Sequence, residues 1–298
     1  MNVLIAGGTG FIGSRIVDEL LRRGGHRLVV MTRDPARARP RAGVEYVRGD
    51  VTDPASLDAA TKGIDVVVHS VQFPNHPVEN PRKGWTYEKI DGEGTERMAA
   101  AAAKNGVKRF VYLGGAGTRP GRPEPWFKAK ERAERAITSS GMEYVILRPS
   151  WIYGPDDRSM NKFVTFIKLL PVVPVIGSGQ EQVQPAYIMD VAKVAALAVD
   201  LPAATNRVFE LGSKTPISMD DINRLIMRLL GKNKPLFHQP AWLVKIPASV
   251  IQYLPNAPLS PGAIDFITMD ERVDASEAEA VFGVEFRSLE AGLREYLK

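Results

Sequence analysis

A glycine-rich loop near the start of the chain carries the clearest chemical signal in the sequence. It follows the short apolar run Val3–Ala6 and precedes the amphipathic stretch Ile12–Arg23, so it lies where a strand passes into a helix. Glycines at such a turn let phosphates approach backbone N–H groups, and the helix N-terminus faces that negative charge. The loop therefore predicts a site for the diphosphate of a dinucleotide; a tight turn without a ligand is the alternative. Its residues are Gly7, Gly8, Thr9, Gly10, Phe11, Ile12 and Gly13.

The end of the second predicted strand, Leu28–Met31, indicates which dinucleotide is bound. Proteins that bind NAD place an acid here, roughly 20 residues after the glycines, to hold the ribose 2′-hydroxyl. In this chain Thr32 occupies that position and Arg33 follows it. Because an arginine can bind a 2′-phosphate through two N–H groups, we predict NADP rather than NAD. In the alternative interpretation Asp34 supplies the acid. Two further candidates for the same phosphate are Arg15 and Arg37.

Other candidates for cofactor binding follow later strands. Asp50 and Val51 come after the third strand, where a turn can reach the adenine. Asp50 would accept a hydrogen bond from the exocyclic amine and Val51 would pack on the ring, although a simple turn explains both residues equally well. The remaining candidates are Ser70, Val71, Lys130, Pro149 and Ile152.

Short apolar runs alternate with helix-like segments through the first half of the chain. Continuous apolar strands separated by helices are typical of a parallel sheet covered on both faces, so we predict an α/β fold with a doubly wound, Rossmann-type sheet. The cofactor-binding domain would span 1–155, and 156–298 would complete the sheet and form a smaller, mainly helical C-terminal lobe, with Asp190 as a helix cap. The later strands are predicted at Val44–Val47, Val66–His69, Phe110–Leu113, Tyr144–Leu147 and Val208–Leu211.

Composition excludes several classes of protein. The 298 residues are 44% hydrophobic and 24% charged, as in ordinary globular proteins. There is no cysteine, and no two of the four histidines have metal-ligand spacing, so we predict neither thiol chemistry nor a metal site. The net charge of +5 is spread without a basic stripe, which argues against nucleic acid. We predict no targeting signal and no membrane-spanning run, and expect a cytoplasmic protein.

Several of these motifs together resemble the short-chain dehydrogenase/reductase superfamily, in its atypical or extended branch. The glycine loop, Asp50 and the run Arg148-Pro149-Ser150-Trp151-Ile152-Tyr153-Gly154-Pro155 carry the resemblance, which covers about the first 155 residues. The run Asp157-Arg158-Ser159-Met160-Asn161 is similar to bacterial relatives of the respiratory complex I accessory subunit with this fold. The resemblance implies an NAD(P)-binding protein related to oxidoreductases and to NAD-dependent epimerases and dehydratases.

The resemblance also implies catalytic machinery that this sequence lacks in part. The family uses a serine after the fifth strand and a Tyr-x-x-x-Lys motif, in which the lysine helps the tyrosine to transfer a proton. Here Gly114 and Gly115 follow the fifth strand, Trp126 stands in the tyrosine position, and Lys130 alone is retained. An indole N–H donates a hydrogen bond but is neither acid nor base near neutral pH. The substitute proton donors that we consider are Tyr112, Thr118, His76 and Tyr153.

Two functions therefore stay open. One is an NADPH-dependent oxidoreductase for a small or apolar, carbonyl or quinone-like substrate. The other is a non-catalytic NAD(P)H-binding sensor, or a structural or assembly subunit of a membrane-associated complex. A sugar-nucleotide epimerase is a third option that the missing tyrosine weakens. Within a predicted lid over 232–275, the apolar segments Trp242–Ile246 and Val250–Leu254 fit a substrate wall, a surface for a membrane or protein partner, or the core of a small lobe.

Overall fold

The computed structural model describes residues 1–254, 257 and 259–297. A π-helical turn, Tyr87–Gly92, leads into the third α-helix. The strands are β1 Asn2–Ala6, β2 Arg27–Thr32, β3 Val44–Arg48, β4 Val66–His69, β5 Arg109–Leu113, β6 Glu143–Pro149, β7 Ile152–Tyr153, β8 Val173–Ile176, β9 Gln182–Val183, β10 Ala186–Tyr187, β11 Arg207–Leu211, β12 Ile217–Ser218 and β13 Leu236–Gln239. The α-helices are α1 Phe11–Arg23, α2 Pro54–Ala60, α3 Glu93–Lys104, α4 Pro125–Thr138, α5 Met160–Leu169, α6 Ile188–Leu197, α7 Met219–Leu229, α8 Ala241–Ile251, α9 Pro261–Ile267, α10 Ser276–Phe282 and α11 Leu289–Arg294.

Seven strands form one parallel sheet in the order β11-β6-β5-β4-β1-β2-β3. The order reverses beside β1, because the chain first adds β2 and β3 on one side and then returns to add β4 on the other. Ligands of such sheets bind at this switch point, outside the carboxyl ends of the strands. The sheet confirms the predicted Rossmann-type fold, and β11 from the second half of the chain forms its edge next to β6.

Two apolar layers cover the sheet. Successive side chains of a strand point to opposite faces, and β1 shows the result: Val3 and Ile5 belong to one core, and Leu4 and Ala6 to the other. Helices α1 and α6 pack on the first face, and α2, α3 and α4 on the second. Because both faces are buried, inner strands such as β1 and β4 are almost entirely apolar, which is why the sequence pattern predicts them well, whereas the edge strand β3 contains Glu45 and Arg48.

The second half of the chain surrounds a third apolar core with short strand pairs and helices. The predicted helix cap at Asp190 is wrong: α6 begins at Ile188, and the Asp190 carboxylate instead accepts a hydrogen bond from the N–H of Arg287 at 3.0 Å. The predicted lid over 232–275 contains β13, α8 and α9, while its residues 255, 256 and 258 lie outside the described ones. In the part of the chain that the structure describes, no helix combines the length and apolar character needed to cross a bilayer.

Candidate functional site

The glycine loop forms one wall of a crevice of about 790 Å³ at the switch point of the sheet. The Gly10 N–H donates to the Gly7 carbonyl at 2.9 Å, and α1 begins one residue later without a side-chain cap. Gly7 has a φ of +86°, and a Cβ there would lie 2.9 Å from the carbonyl oxygen of Ser70. A Cβ on Gly13 would overlap the Gly7 carbonyl. Both positions therefore require glycine, and the N–H groups of the first helical turn stay open to an anion.

Most of the residues predicted to bind a cofactor meet in this crevice. Gly8 lies beneath it, where an added Cβ would meet the side chain of Val30 at 2.9 Å. The predicted residues that line the crevice are Gly7, Thr9, Gly10, Phe11, Ile12, Gly13, Thr32, Arg33, Asp50, Val51, Ser70 and Val71.

Six predicted residues, Gly8 among them, do not line the crevice. Arg15 forms ion pairs with two carboxylates. Arg37 is directed into solvent, with 89% of its side chain exposed. Pro149 ends β6, Ile152 starts β7, and Lys130 is buried in α4. Their roles toward a cofactor stay predictions.

The carboxyl end of β2 presents a cation to the crevice. Thr32 and Arg33 line it, and Arg33 makes no ion pair with any residue that the structure describes. Asp34, the acid of the alternative interpretation, is engaged in its own turn. One of its oxygens accepts from the N–H of Ala36 at 3.1 Å, and the other lies 3.6 Å from Nε of Arg37. The Arg33 guanidinium is thus the group at this rim that is available for an anion.

Three more cations of the crevice lie outside every sequence motif. Lys83 and Lys89 follow β4, and Arg97 lies on α3. Arg97 pairs with Glu93 one helical turn earlier and donates to the carbonyl of Val51 at 3.3 Å, so it fixes the turn predicted to face adenine. No spacing rule links these residues to the glycine loop, and only the fold brings them there. The other lining residues that lie outside the predicted cofactor-binding set are Met31, Gly49, Thr52, Gln72, Pro74, Gly84, Trp85, Ile90 and Glu93.

The Asp50 turn is ordered by its neighbours. Oδ1 of Asp50 accepts from the N–H of Thr52 at 2.8 Å and from its hydroxyl at 2.7 Å. The Asp50 N–H donates to Oγ of Ser56 at 3.0 Å. Because these bonds use one carboxylate oxygen, the other is available to a ligand beside the buried Val51.

Lys130 is paired inside the protein. Its side chain is 7% exposed, and its Nζ lies 3.3 Å from Oδ1 of the fully buried Asp91 and 5.5 Å from the ring centre of Tyr112. Burial alone would lower the pKa of Lys130, but Tyr112 and Asp91 together raise it above its ordinary value. Lys130 therefore stays positively charged, as in the family's motif, but it forms an ion pair with Asp91.

Trp126 stands in an aromatic cluster rather than in a proton-transfer chain. Its ring centre lies 5.5 Å from that of Phe266, 5.6 Å from that of Phe127 and 6.1 Å from that of Tyr87. Its buried indole Nε1 has no hydrogen-bond partner among the described residues. Trp126 and Tyr87 line a second cavity of about 780 Å³, which α8 and α9 border on the other side. The second cavity adjoins the glycine-lined crevice, because residues of the loop 77–85 line both.

A tyrosine that sequence reasoning missed lies in this second cavity. The Tyr87 hydroxyl is 3.2 Å from Nε2 of His76, one of the considered proton donors. Burial, followed by the charge of Lys130, lowers the pKa of His76 to about 3, so the imidazole is neutral and can accept this hydrogen bond. Burial, Asp91 and Glu79 raise the pKa of Tyr87, which keeps the phenol protonated. Only the backbone path of the loop, which no short motif encodes, brings these two rings together.

The three other considered donors have structural surroundings. Tyr112 is buried in the sheet core and lines neither cavity. The Thr118 hydroxyl donates to the carbonyl of Gly115 at 2.7 Å. Tyr153 is buried and reaches the carbonyl of Ser288 at 3.4 Å. None of the three faces a space for substrate.

Comparison with known proteins places these features in a family. Residues 7–168 match the NAD(P)H-binding family. Subunit 9 of the NADH dehydrogenase 1 alpha subcomplex from Arabidopsis thaliana is 25% identical over 85% of this chain and 63% of its own length. Ceramide reductase from Caulobacter vibrioides is 30% identical over 64% of this chain and 58% of its own. The chain thus spans less than two thirds of either relative.

Among solved structures, the UDP-glucose 4-epimerase of Thermus thermophilus in complex with NAD superposes with a TM-score of 0.75. It is 21% identical and covers 100% of this chain and 99% of the epimerase. At that identity the likeness shows a shared fold.

The parallel sheet and the glycine loop at its switch point define a dinucleotide-binding protein of the Rossmann class. More narrowly, the chain belongs to the NAD(P)H-binding family. The resemblance to the short-chain dehydrogenase/reductase superfamily is confirmed at this level.

Proposed function

We propose that the chain binds NADPH in preference to NADH. The proposal rests on the carboxyl end of β2. Arg33 lines the crevice there and has no ion-pair partner among the described residues, while Asp34 is hydrogen-bonded within its own turn. A free guanidinium favours a 2′-phosphate, whereas a ribose 2′-hydroxyl is usually held by an acid. Lys83 and Lys89 add positive charge to the same crevice, where Arg97 is neutralised by its ion pair with Glu93.

The test compares the dissociation constants of NADPH and NADH for the unaltered protein and for Arg33→Ala. Loss of one charged hydrogen-bonding group weakens NADPH binding roughly 10- to 100-fold and leaves NADH binding nearly unchanged. Lys128→Ala is the matched control, because Lys128 is an exposed cation outside the crevice and outside the predicted cofactor-binding set. Equal affinities for both nucleotides in the unaltered protein would refute the preference.

For activity, our proposal is reduction of a small or apolar, carbonyl or quinone-like substrate in the second cavity. The bound cofactor would supply a hydride. The Tyr87 phenol, held by His76, would give its proton to the carbonyl oxygen and recover one from water. In this arrangement 1–155 binds the cofactor and the lobe within 156–298 covers the substrate. The relation to a ceramide reductase supports an apolar substrate.

A second candidate is a cofactor-binding protein without turnover, such as a sensor or a subunit of a membrane-associated complex. Trp126 in the tyrosine position, Gly115 in place of the serine and the internal pairing of Lys130 with Asp91 favour it. The relation to a subunit of NADH dehydrogenase supports it as well.

A panel of carbonyl compounds and quinones, followed by NADPH absorbance, separates the two candidates. Oxidation of NADPH that requires the substrate supports the reductase. Tight NADPH binding without oxidation across the panel supports the sensor or subunit.

A further inference from the structure

The exposed apolar side chains of this protein are concentrated in one region. Among the described residues, every exposed large apolar side chain except Met1 and Met189 lies within 166–172 or 237–254. Scattered exposed apolar residues are normal on a protein surface, but a concentration of this kind marks a binding surface. We call this region the apolar face. Its residues are Phe166, Leu169, Leu170, Val172, Phe237, Trp242, Leu243, Ile246, Val250, Tyr253 and Leu254.

The segments of the apolar face adjoin one another in the fold. Strand β8, which follows α5, pairs with β13 so that Pro174 is opposite Phe237, and β13 leads directly into α8. The Lys234 ammonium donates to the carbonyl of Leu170 at 2.6 Å, which ties the end of α5 to the start of β13.

Helix α8 leaves most of its large apolar side chains exposed. Trp242, Ile246 and Val250 recur at intervals of four residues and so lie on one side of the helix, and they are 65%, 60% and 72% exposed. Ala248 is the one residue of α8 that is buried. Such exposure of an apolar helix is unfavourable in water, so this side of α8 is expected to be covered by an apolar partner.

Charge around the apolar face identifies that partner. The segments 158–172 and 231–254 contain six lysines and arginines and neither aspartate nor glutamate. Lys162, Lys168 and Lys232 have no ion-pair partner in the described part of the chain. The nearby acids Asp220 and Asp265 are already paired, with His238 and Lys245 respectively. Apolar side chains bordered by unneutralised cations match a bilayer with anionic headgroups.

We propose that this protein docks on an anionic lipid bilayer through the apolar face. Trp242 and Tyr253 would lie at the level of the headgroups, Ile246 and Val250 would enter the acyl boundary, and the free lysines would contact lipid phosphates. A protein partner fits less well, because interfaces between proteins combine apolar side chains with side chains of both positive and negative charge. The inference does not depend on what the crevice binds or on whether the protein is an enzyme.

The experiment is flotation of the full chain with vesicles of phosphatidylcholine, pure or mixed with phosphatidylglycerol. We expect binding to the anionic vesicles and little to the neutral ones. The combined variant Trp242→Ser, Ile246→Ser, Val250→Ser should lower binding about tenfold or more, since affinity follows buried apolar area. Reversal of Lys162, Lys168 and Lys232 to glutamate should also abolish it.

Two exposed residues elsewhere provide controls. Met189→Ser removes an exposed apolar side chain and Lys128→Glu reverses an exposed charge, both outside the segments that form the apolar face, and neither should change vesicle binding. Absence of binding to both vesicle types would overturn the proposal and leave a protein partner as the occupant of the face. Binding that survives the serine substitutions would overturn it as well, because it would be adsorption without insertion.

Discussion

Trp126 lacks the hydroxyl of the family's tyrosine, and the neighbouring Tyr87 has one. Tryptophan in the tyrosine position removes a hydroxyl but keeps the aromatic contact, and its ring lies 6.1 Å from that of Tyr87. Tyr87 brings a phenol back to the same cavity from a different element. The raised pKa of Tyr87 keeps the phenol protonated, so it can donate a hydrogen bond to a carbonyl oxygen, but it also makes the phenol a weaker acid than the family's tyrosine.

Tyr87→Phe tests this assignment at a single atom. With a substrate from the NADPH panel, we expect kcat to fall about 100-fold, the size of effect typical of a lost general acid, while NADPH affinity stays unchanged. Tyr46→Phe serves as the control. Tyr46 lies on the edge strand β3, and its hydroxyl donates to the carbonyl of Arg39. Unchanged kcat in Tyr87→Phe would assign the proton to another donor.

Glu271 predicts a pH dependence of stability. Burial and the neighbouring Glu210 raise the pKa of Glu271 from 4.5 to about 7. Between these values the folded protein binds more protons than the unfolded chain, so the free energy of unfolding falls as pH rises through this window. The loss attributable to Glu271 is about 3 kcal/mol. Urea unfolding at either end of the window should show a smaller decrease in Glu271→Gln than in the unaltered protein. An identical decrease would contradict this role.

At the scale of elements, the β1-loop-α1 unit contributes backbone N–H groups to the crevice. The loop approaches β4 closely, since Gly7 meets Ser70 and the Ser70 hydroxyl donates to the carbonyl of Ala6 at 3.1 Å. Gly13 lets the first turn of α1 contact the loop. Packing of three elements around one loop therefore holds its N–H groups in place before a ligand arrives.

Gly13→Ala should disturb both the fold and binding. Its Cβ would overlap the Gly7 carbonyl, so the loop must shift, and we expect a loss of about 1–3 kcal/mol in the free energy of unfolding together with weaker binding of NADPH. Gly262→Ala on α9 is the control: nothing lies within 4 Å of its added Cβ, and alanine favours a helix. Chemical unfolding and cofactor titration of both variants provide the comparison. Normal NADPH affinity in Gly13→Ala would contradict the need for glycine there.

At the scale of the molecule, the second cavity and the apolar face share a boundary. Gln252 and Tyr253, at the end of α8, line the cavity, and Tyr253 also belongs to the face. On our proposal the cavity therefore borders the bilayer, and an apolar substrate could enter it from the lipid. The Arg33, Tyr87 and vesicle-binding experiments test separate parts of this arrangement, because each variant alters a different surface.

The sequence by itself determined the sheet and the glycine loop. Buried parallel strands are apolar along their length, and a tight turn at a helix N-terminus needs glycine, so both are encoded in a few adjacent residues. The prediction of Arg33 at the end of β2 rests on the same local order. The preference of the protein for NADPH over NADH is tested by the Arg33→Ala comparison.

Tertiary structure alone decided which distant residues share a surface. Lys83 and Arg97 join the crevice, His76 meets Tyr87, and Trp242 stays exposed, although the apolar segment around it favours the buried core of a small lobe. Burial of an apolar helix depends on whether another element covers it, and cavity walls depend on contacts between segments far apart in the chain. Neither property is contained in local spacing or periodicity.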